Sequence, residues 1–454
     1  MQRPDAATVR ARPRARPRAW ALVVLAALAL AGCAEDRVQA GLCARVIAAV
    51  ESRFGRVEIV EADADAAGSV DVRYRLPDRL PLAELGARCG FAGAGMDTGR
   101  LVLTSIETQT QGPLSEARLY MARLWLGLFT VRPETALPPP RPLLEGGPSW
   151  LLYLGQQVTN GLVPGIVFAL LAAGITLVWG LIDRIVLIFG QFAMIGAYGG
   201  VLLVTLSLTV GVYSLPVALL SALWLSMAVA AVYARATDRL VVRPTLARDT
   251  QATLIASVGA AIAVQEFVRL VQGSRDRWLQ PIYSVQHLLV GNGEIGLSVS
   301  TAQLIVLGTF AVLVLGLLLL LARTPFGRCY RACCDDLHMA RLVGVPTHQI
   351  TNGTFLVAGG LCAAGGFIIA LYYGGVSAYM GVMVGFKGLT AAVLGGVGSV
   401  AGAVIGGLLL GQFETLWDAY LPIAWRNIAV FGVLTLVLVF RPQGLLGRDT
   451  TRFV

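Results

Sequence analysis

Two apolar runs without a single charge, residues 301–322 and 351–375, flank a polar interruption, TPFGRCYRACCDDLHMARLVGVPTHQ, at 324–349. Each run is long enough to cross a bilayer, which takes about 20 apolar residues. A segment that spans lipid must satisfy its backbone polar groups internally, which a helix does. The polar interruption must then lie at a membrane surface. Arg323, Arg328, Arg331 and Arg341 place it on the cytoplasmic side, because short cytoplasmic loops collect arginine and lysine. The whole chain is 56% hydrophobic and 14% charged, against about 25% charged for a soluble domain. It reads as an all-α polytopic membrane protein. The net charge of +9 is mostly arginine near the N-terminus and in a few loops. No aromatic and basic residues interleave as a nucleic-acid surface would require, so no nucleic-acid partner is expected.

The N-terminal part has another character. Arg3, Arg10, Arg12, Arg14, Arg16 and Arg18 precede an apolar stretch at 20–30, the pattern of a secretory signal. The stretch ends in Leu30-Ala31-Gly32-Cys33, which resembles the lipobox of bacterial lipoproteins and implies lipidation of Cys33. A conventional signal cleaved nearby, or an uncleaved anchor, is the alternative. Residues 1–33 are thus the signal, and 34–135 a small extracytoplasmic α+β domain. Within it, 56–60 and 70–76 alternate around a turn and predict a hairpin. Residues 101–108 predict a strand, and 115–128 a helix capped by Ser115. Cys43 and Cys89 either pair in an exported domain or stay as two buried thiols. The domain has no His, nucleophile motif or metal-ligand cluster, so a docking or accessory role is expected. A proline-rich linker at 136–150, with LPPPRP at its centre, separates it from the rest.

Along the membrane part the expected spans are 158–180, 185–210, 215–233, 253–271, 301–322, 351–375 and 423–440. The second is expected to be broken by Gly190, Gly196, Gly199 and Gly200. Residues 385–411 are either two crossings or a re-entrant hairpin, which gives about eight or nine crossings in all. A basic loop with Arg235, Arg239, Arg243 and Arg248 belongs inside, as do Arg441, Arg448 and Arg452 in a cytoplasmic tail at 448–454. The N-terminal domain then falls outside.

Inside the polar interruption, 331–345 predicts one short amphipathic helix. Cys334, Leu337, His338, Arg341 and Leu342 recur at helical spacing, and Gly344 with Pro346 stops it. Ala340 and Gly344 are small enough for a partner to approach closely. Cys329, Cys333, Cys334 and His338 on one helix do not converge on a tetrahedral ion, so no metal is expected. Farther on, Gly398, Gly402 and Gly406 are four apart, as helices that touch in lipid require. Lys387, Glu414 and Asp418 are charges in or beside apolar runs, where such residues are functional candidates. Glu266 and Arg269 are spaced to pair on the fourth span.

Three of these stretches resemble the branched-chain amino acid permease family of ABC importers. In RACCDDLHMARLVGV the resemblance assigns coupling to an ATPase to Arg331, Asp335, Asp336, Met339, Ala340, Arg341 and Gly344. The run GFKGLTAAVLGGVGSVAGAVIGGLLLG matches through Lys387, Thr390, Ala391, Leu394, Gly395, Gly396, Gly398, Ser399, Gly402 and Gly406. The opening helix matches through Gly161, Gly165 and Gly174, and the next element through Gly190, Gly196 and Tyr198. There the chain departs: Val186, Leu187, Ile188 and Gln191 stand where the family has an Asn-Phe-Ala stretch and a Glu. The likeness runs from about 155 to 447, ends in Arg441-Pro442-Gln443-Gly444-Leu445, and defines a permease domain at 151–447. It implies a multi-pass subunit of the bacterial inner membrane working by alternating access. Its implied partners are ABC ATPase subunits, a second homologous permease, an extracytoplasmic solute-binding protein and a small-molecule solute. It implies no cofactor. No G-x-x-x-x-G-K-[ST] is present, so the chain is expected to supply neither an ATP site nor a catalytic acid, base or nucleophile. The rival readings are a secondary transporter or channel, a permease for urea or short amides, and a membrane-anchored sensor.

Overall fold

A computed structural model describes residues 37–51, 57–64, 68–76, 84–93, 102–116, 118–120, 122, 144–145, 148–210, 215–246, 250–273, 275–278, 286–291, 296–441 and 443–446. Cys33 and most of the linker lie outside them.

The N-terminal part is a helix on a sheet. Helix α1 (Arg37–Glu51) is followed by β1 (Glu58–Ala64), β2 (Ser69–Arg75), β3 (Glu84–Phe91), β4 (Leu103–Thr108) and β5 (Gly112–Pro113). The strands form one antiparallel meander in chain order. Strand β2 alternates strictly. Val70, Val72 and Tyr74 are buried, while Asp71, Arg73 and Arg75 face out. Ala40, Cys43 and Ile47, at the three- and four-residue spacing of one helix face, meet the buried row. A disulfide joins Cys43 to Cys89 (Cα–Cα 5.9 Å) and so fastens α1 to β3. Helical residues follow Ser115 as far as Ala122, where the described part of that segment ends.

The remainder is an all-α bundle. Its elements are α2 (Ser149–Ile182), α3 (Phe189–Val210), α4 (Leu215–Thr237), α5 (Arg243–Leu246), α6 (Thr250–Gln272), α7 (Thr301–Arg323), α8 (Pro325–Asp335), α9 (Leu337–Leu342), α10 (Thr347–Tyr373), α11 (Met380–Gly395), α12 (Val400–Tyr420) and α13 (Arg426–Phe440). Eight helices among the described residues are long and apolar enough to cross a membrane. Helices α2, α3 and α10 are apolar all round and form the buried centre, whereas α6, α7 and α13 expose most of their apolar surface. Short strands cap one end. Strand β6 (Leu144–Glu145) pairs with β8 (Gln286–Gly291), which pairs with β9 (Gly296–Ser300). Strand β7 (Arg277–Trp278) pairs with β10 (Gly375–Val376).

Four expectations change in detail. The glycines of the second span do not break it; α3 is continuous and simply begins late, at Phe189. The residues before it, 183–188, are irregular, starting with Asp183 in the left-handed region (φ 54°). Thr253 and Ser257 of α6 supply side-chain partners there, accepting from Arg184 Nη1 (3.0 Å) and from Leu187 N (3.2 Å). As far as Leu246 the basic stretch after the third span is helical: a π-helical segment, Asp238–Val242, carries α4 on into α5, and Arg248 lies outside the described residues. The glycine-rich run is a helical hairpin of α11 and α12. With 16 residues, α11 is only about 24 Å long, short of a full hydrocarbon core. The fourth change concerns 331–345, which is two helices rather than one.

Candidate functional site

Glycine sets the spacing at the centre. A Cβ on Gly196 of α3 would lie 2.3 Å from Ala363 O of α10, and one on Gly174 would lie 2.9 Å from Ala358 O. Gly165 faces Leu408 and Gly411 of α12, and Gly161 faces the Gln412 side chain, so α2 and α12 run antiparallel in contact. These are backbone-on-backbone approaches, which only small residues permit in lipid. Tyr198 is buried on α3, and Thr390 is buried on α11, donating to its own helix at Phe386 O (2.9 Å).

The α11–α12 hairpin closes equally tightly. Gly395 meets Gly402, and Gly406 meets Ala391. Gly396 (φ 108°) and Gly398 (φ 86°) make the turn in a region that side chains disfavour. Ser399 then caps α12, its Oγ accepting from Gly402 N at 3.1 Å. The segment after α13 folds back onto this turn. Leu445 N donates to Leu394 O (2.9 Å) and Leu446 N to Gly395 O (3.0 Å), which satisfies two carbonyls at the end of α11.

Two helix starts meet inside the bundle. A Cβ on Gly190 would lie 1.9 Å from Gly381 O, so the first turns of α3 and α11 abut. Gln191 is buried beside them. Its Nε2 donates to Gln265 Oε1 of α6 (3.4 Å), while its own Oε1 is buried without a hydrogen-bond partner. One face round, Lys387 Nζ lies 2.6 Å from Glu414 Oε1 and 5.7 Å from the centre of the Phe168 ring. Arg426, at the start of α13, reaches both Glu414 (3.2 Å) and Asp418 (2.8 Å). Isolated charges at such positions are costly, and pairing offsets part of that cost.

The polar interruption forms an elbow between α7 and α10. Thr324 caps α8 (Oγ1 accepting from Gly327 N, 3.2 Å), with Pro325 in the first turn. Asp336 then leaves the helix (φ −156°) and caps α9, its Oδ1 accepting from His338 N (2.7 Å) and Met339 N (3.0 Å). That cap is why one expected helix is two. Gly344 (φ 88°) ends α9. Arg331 does not reach out freely; its Nη1 donates to Leu321 O at the end of α7. Ala340 is buried within the chain, so its small size serves internal packing, contrary to the expectation that it leaves room for a partner. Asp335 and Arg341 face outward, as do Leu337, Met339, Leu342 and Val343. Tyr330 Oη donates to Leu177 O of α2 (2.9 Å), and its ring stacks on Phe326 (6.5 Å). Burial pushes the Tyr330 phenol well above its ordinary value and also raises the Cys333 thiol, so both are protonated at neutral pH.

The residues expected from sequence thus fall into two groups, a glycine-packed core and an elbow. Tyr330, which links them, lies in the polar interruption but one position before the helix predicted at 331–345. Arg426 falls inside the span expected at 423–440. A third set escaped notice because its members are far apart in sequence. The buried Asp238 of the π-helical segment pairs with Arg243 (2.5 Å), which in turn contacts His348 in the first turn of α10. π-Helical turns of this kind are rare and cluster at functional places.

Residues 157–439 match the family model described as the permease component of the branched-chain amino acid transport system. The chain is 34% identical over 297 residues to the high-affinity branched-chain amino acid transport system permease protein LivH of Salmonella typhimurium, covering 65% of this chain and 96% of that protein. The same figures hold for LivH of Escherichia coli K12. Pseudomonas aeruginosa BraD is 34% identical over 293 residues, covering 64% and 95%. No solved structure matches. The family match begins at residue 157 and leaves the N-terminal α+β part uncovered.

Proposed function

Because the chain belongs to the branched-chain amino acid transport permease family, and so is the membrane permease subunit of an ABC importer, we propose that it carries branched-chain amino acids or closely similar small solutes across a bacterial inner membrane. ATP is hydrolysed by separate subunits docked on the elbow. A second homologous permease and an extracytoplasmic solute-binding protein complete the importer. The elbow lies in the cytoplasm with the C-terminal tail, an orientation supported by the arginine distribution. The N-terminal domain lies outside, supported by the signal-like start and by the Cys43–Cys89 pairing. Cys33 anchors it as a lipid-modified residue.

The observation that carries this reading is the elbow. Met339, Leu342 and Val343 are exposed apolar side chains on a segment otherwise dotted with charge, which suits a groove on a partner. Behind them, Tyr330 and Arg331 join the elbow to α2 and α7. A push from an ATPase is then passed to the packed core instead of being lost in a loop. The test is photo-crosslinking from position 342 in the assembled complex, together with uptake of labelled L-leucine into proteoliposomes. Crosslinks to an ATPase subunit and ATP-dependent uptake are expected. Uptake that needs no ATP, or an elbow that crosslinks to no ATPase, overturns the reading.

A further inference from the structure

Four charged side chains near one end of α12 form a graded ladder. Glu414 and Lys387 are the deep end, with side chains 9% and 10% exposed; Asp418 (27%) and Arg426 (34%) are the shallow end. They come from three helices: α11 (Lys387), α12 (Glu414, Asp418) and α13 (Arg426). Lys387 lies well down the hairpin, seven residues after the start of α11 and near the Phe168 ring of α2. The ladder sums to zero charge but is not internally complete. Glu414 Oε2 and Asp418 Oδ1 are buried acceptors without a hydrogen-bond partner. Arg426 Nε lies 3.2 Å from Glu414 Oε1 yet is a buried donor without an aligned hydrogen bond. Asn427 Oδ1, on the next residue, is a further unpartnered acceptor. Buried polar groups are normally satisfied, because an unpaired one has given up its water without a replacement, and a charged one most of all. Here unpaired groups of both senses, donor and acceptor, occur together. A lone cation would satisfy only the acceptors, and a lone anion only the donor. A solute bearing an ammonium and a carboxylate satisfies both.

We infer that the Lys387–Glu414–Arg426–Asp418 ladder is the site that takes the charged ends of a zwitterionic solute on its way into the bundle. This rests on the reading of the chain as an amino acid permease. The ammonium is held by Glu414 and Asp418, and the carboxylate by Arg426, with Lys387 as the deep partner. Because the internal pairs already exist, the solute exchanges for them in place of stripping bare charges from water. The graded exposure gives the order: Asp418 and Arg426 are met first, Glu414 and Lys387 next.

The experiment measures direct binding of three probes to the purified, assembled complex: L-leucine, leucinamide (no carboxylate) and 4-methylvalerate (no ammonium). Asp418→Asn and Arg426→Lys are the variants, chosen because each side chain lies at the less buried end and each replacement preserves size or charge. Asp418→Asn is expected to weaken leucine and leucinamide about tenfold and to leave 4-methylvalerate unchanged. Arg426→Lys keeps a cation but loses the Nε donor; it should weaken leucine and 4-methylvalerate about tenfold and spare leucinamide. A purely structural latch predicts no such crossing pattern. If both variants affect all three probes alike, or affect none, the site is refuted. Leucine uptake by the wild-type complex is measured in the same preparation. Its presence with no crossing pattern overturns the site alone, whereas its absence overturns the solute class and this inference with it.

Discussion

Replacing Tyr330 by Phe should uncouple ATP hydrolysis from transport while leaving the protein in the membrane. The change removes one hydrogen bond, from Tyr330 Oη to Leu177 O at 2.9 Å, and keeps the ring stacked on Phe326. A typical intramolecular hydrogen bond contributes about 0.5–1.5 kcal/mol net. Tyr330 is almost wholly buried, and the carbonyl it reaches lies inside α2, so about 1 kcal/mol is the fitting figure. That loosens the joint between elbow and core by a factor of about 5 in population, since about 1.4 kcal/mol is tenfold. Tyr330→Ala removes the buried ring too and should cost about 3–5 kcal/mol. Insertion depends on the apolar runs and their flanking arginines, which neither variant alters. The assay is solute uptake per ATP hydrolysed by the reconstituted importer. The ratio should fall modestly for Phe and steeply for Ala, with the ATPase still able to turn over. If Tyr330→Ala retains the wild-type ratio, the elbow does not transmit through α2, and the reasoning from this contact fails.

Further expectations follow from the same contacts. Gly196→Val should separate α3 from α10, because even a Cβ there meets the Ala363 backbone; overpacking typically costs about 1–3 kcal/mol, read as loss of heat-resistant, membrane-extracted protein. Gly316→Ala, with nothing within 4 Å of its Cβ, is the matched control and should be neutral or slightly stabilising. Replacing Cys43 and Cys89 together by Ser should destabilise the N-terminal domain by about 2–4 kcal/mol, seen as faster proteolysis of that part of the intact chain. The Arg88 side chain, through its hydrogen bond first, holds the Asp71 carboxyl below its ordinary range. The stabilisation from that pair is therefore present above about pH 4 and is lost as pH falls through the lower folded value. In Arg88→Ala, an NMR titration should show Asp71 moving up toward an ordinary carboxylate; an unmoved titration refutes the assignment. A cysteine at position 240, otherwise Leu, should be labelled only after the inner face is opened.

Most spans were legible as charge-free runs of bilayer length, the fourth and the last being apolar runs that carry only Glu266 with Arg269 and Arg426, and the hairpin of β1 and β2 because Val70, Val72 and Tyr74 alternate cleanly. Strand β3 was not, since Gly86, Ala87 and Gly90 blur its alternation. Sequence spacing marked Gly402 and Gly406 as contact points, but it does not say against which residues; Gly395 and Ala391 emerge only in three dimensions. The break at Asp336 was hidden for a physical reason. Asp is an acceptable residue within a helix and a strong one at its start, and the choice is made by tertiary placement. The Lys387–Glu414 pair lies 27 residues apart in sequence, so both charges were visible while their pairing was not. Arg426 lies inside the apolar run at 423–440, and nothing in that run points to its partners Glu414 and Asp418.

The return of residues 444–446 onto the α11–α12 turn bears on the order in which this protein can be made. The turn and its clasp are separated in the chain by the whole of α12 and α13. The clasp therefore closes only after α13 has entered the bilayer, and until then Leu394 and Gly395 hold unsatisfied carbonyls at the end of a short helix. Biogenesis thus has a built-in last step. A chain cut at residue 443 should insert all its spans yet keep an unfinished hairpin, exposed to membrane proteases. A tag joined beyond residue 446 leaves the clasp intact, which makes the distal end the safer place for a purification handle.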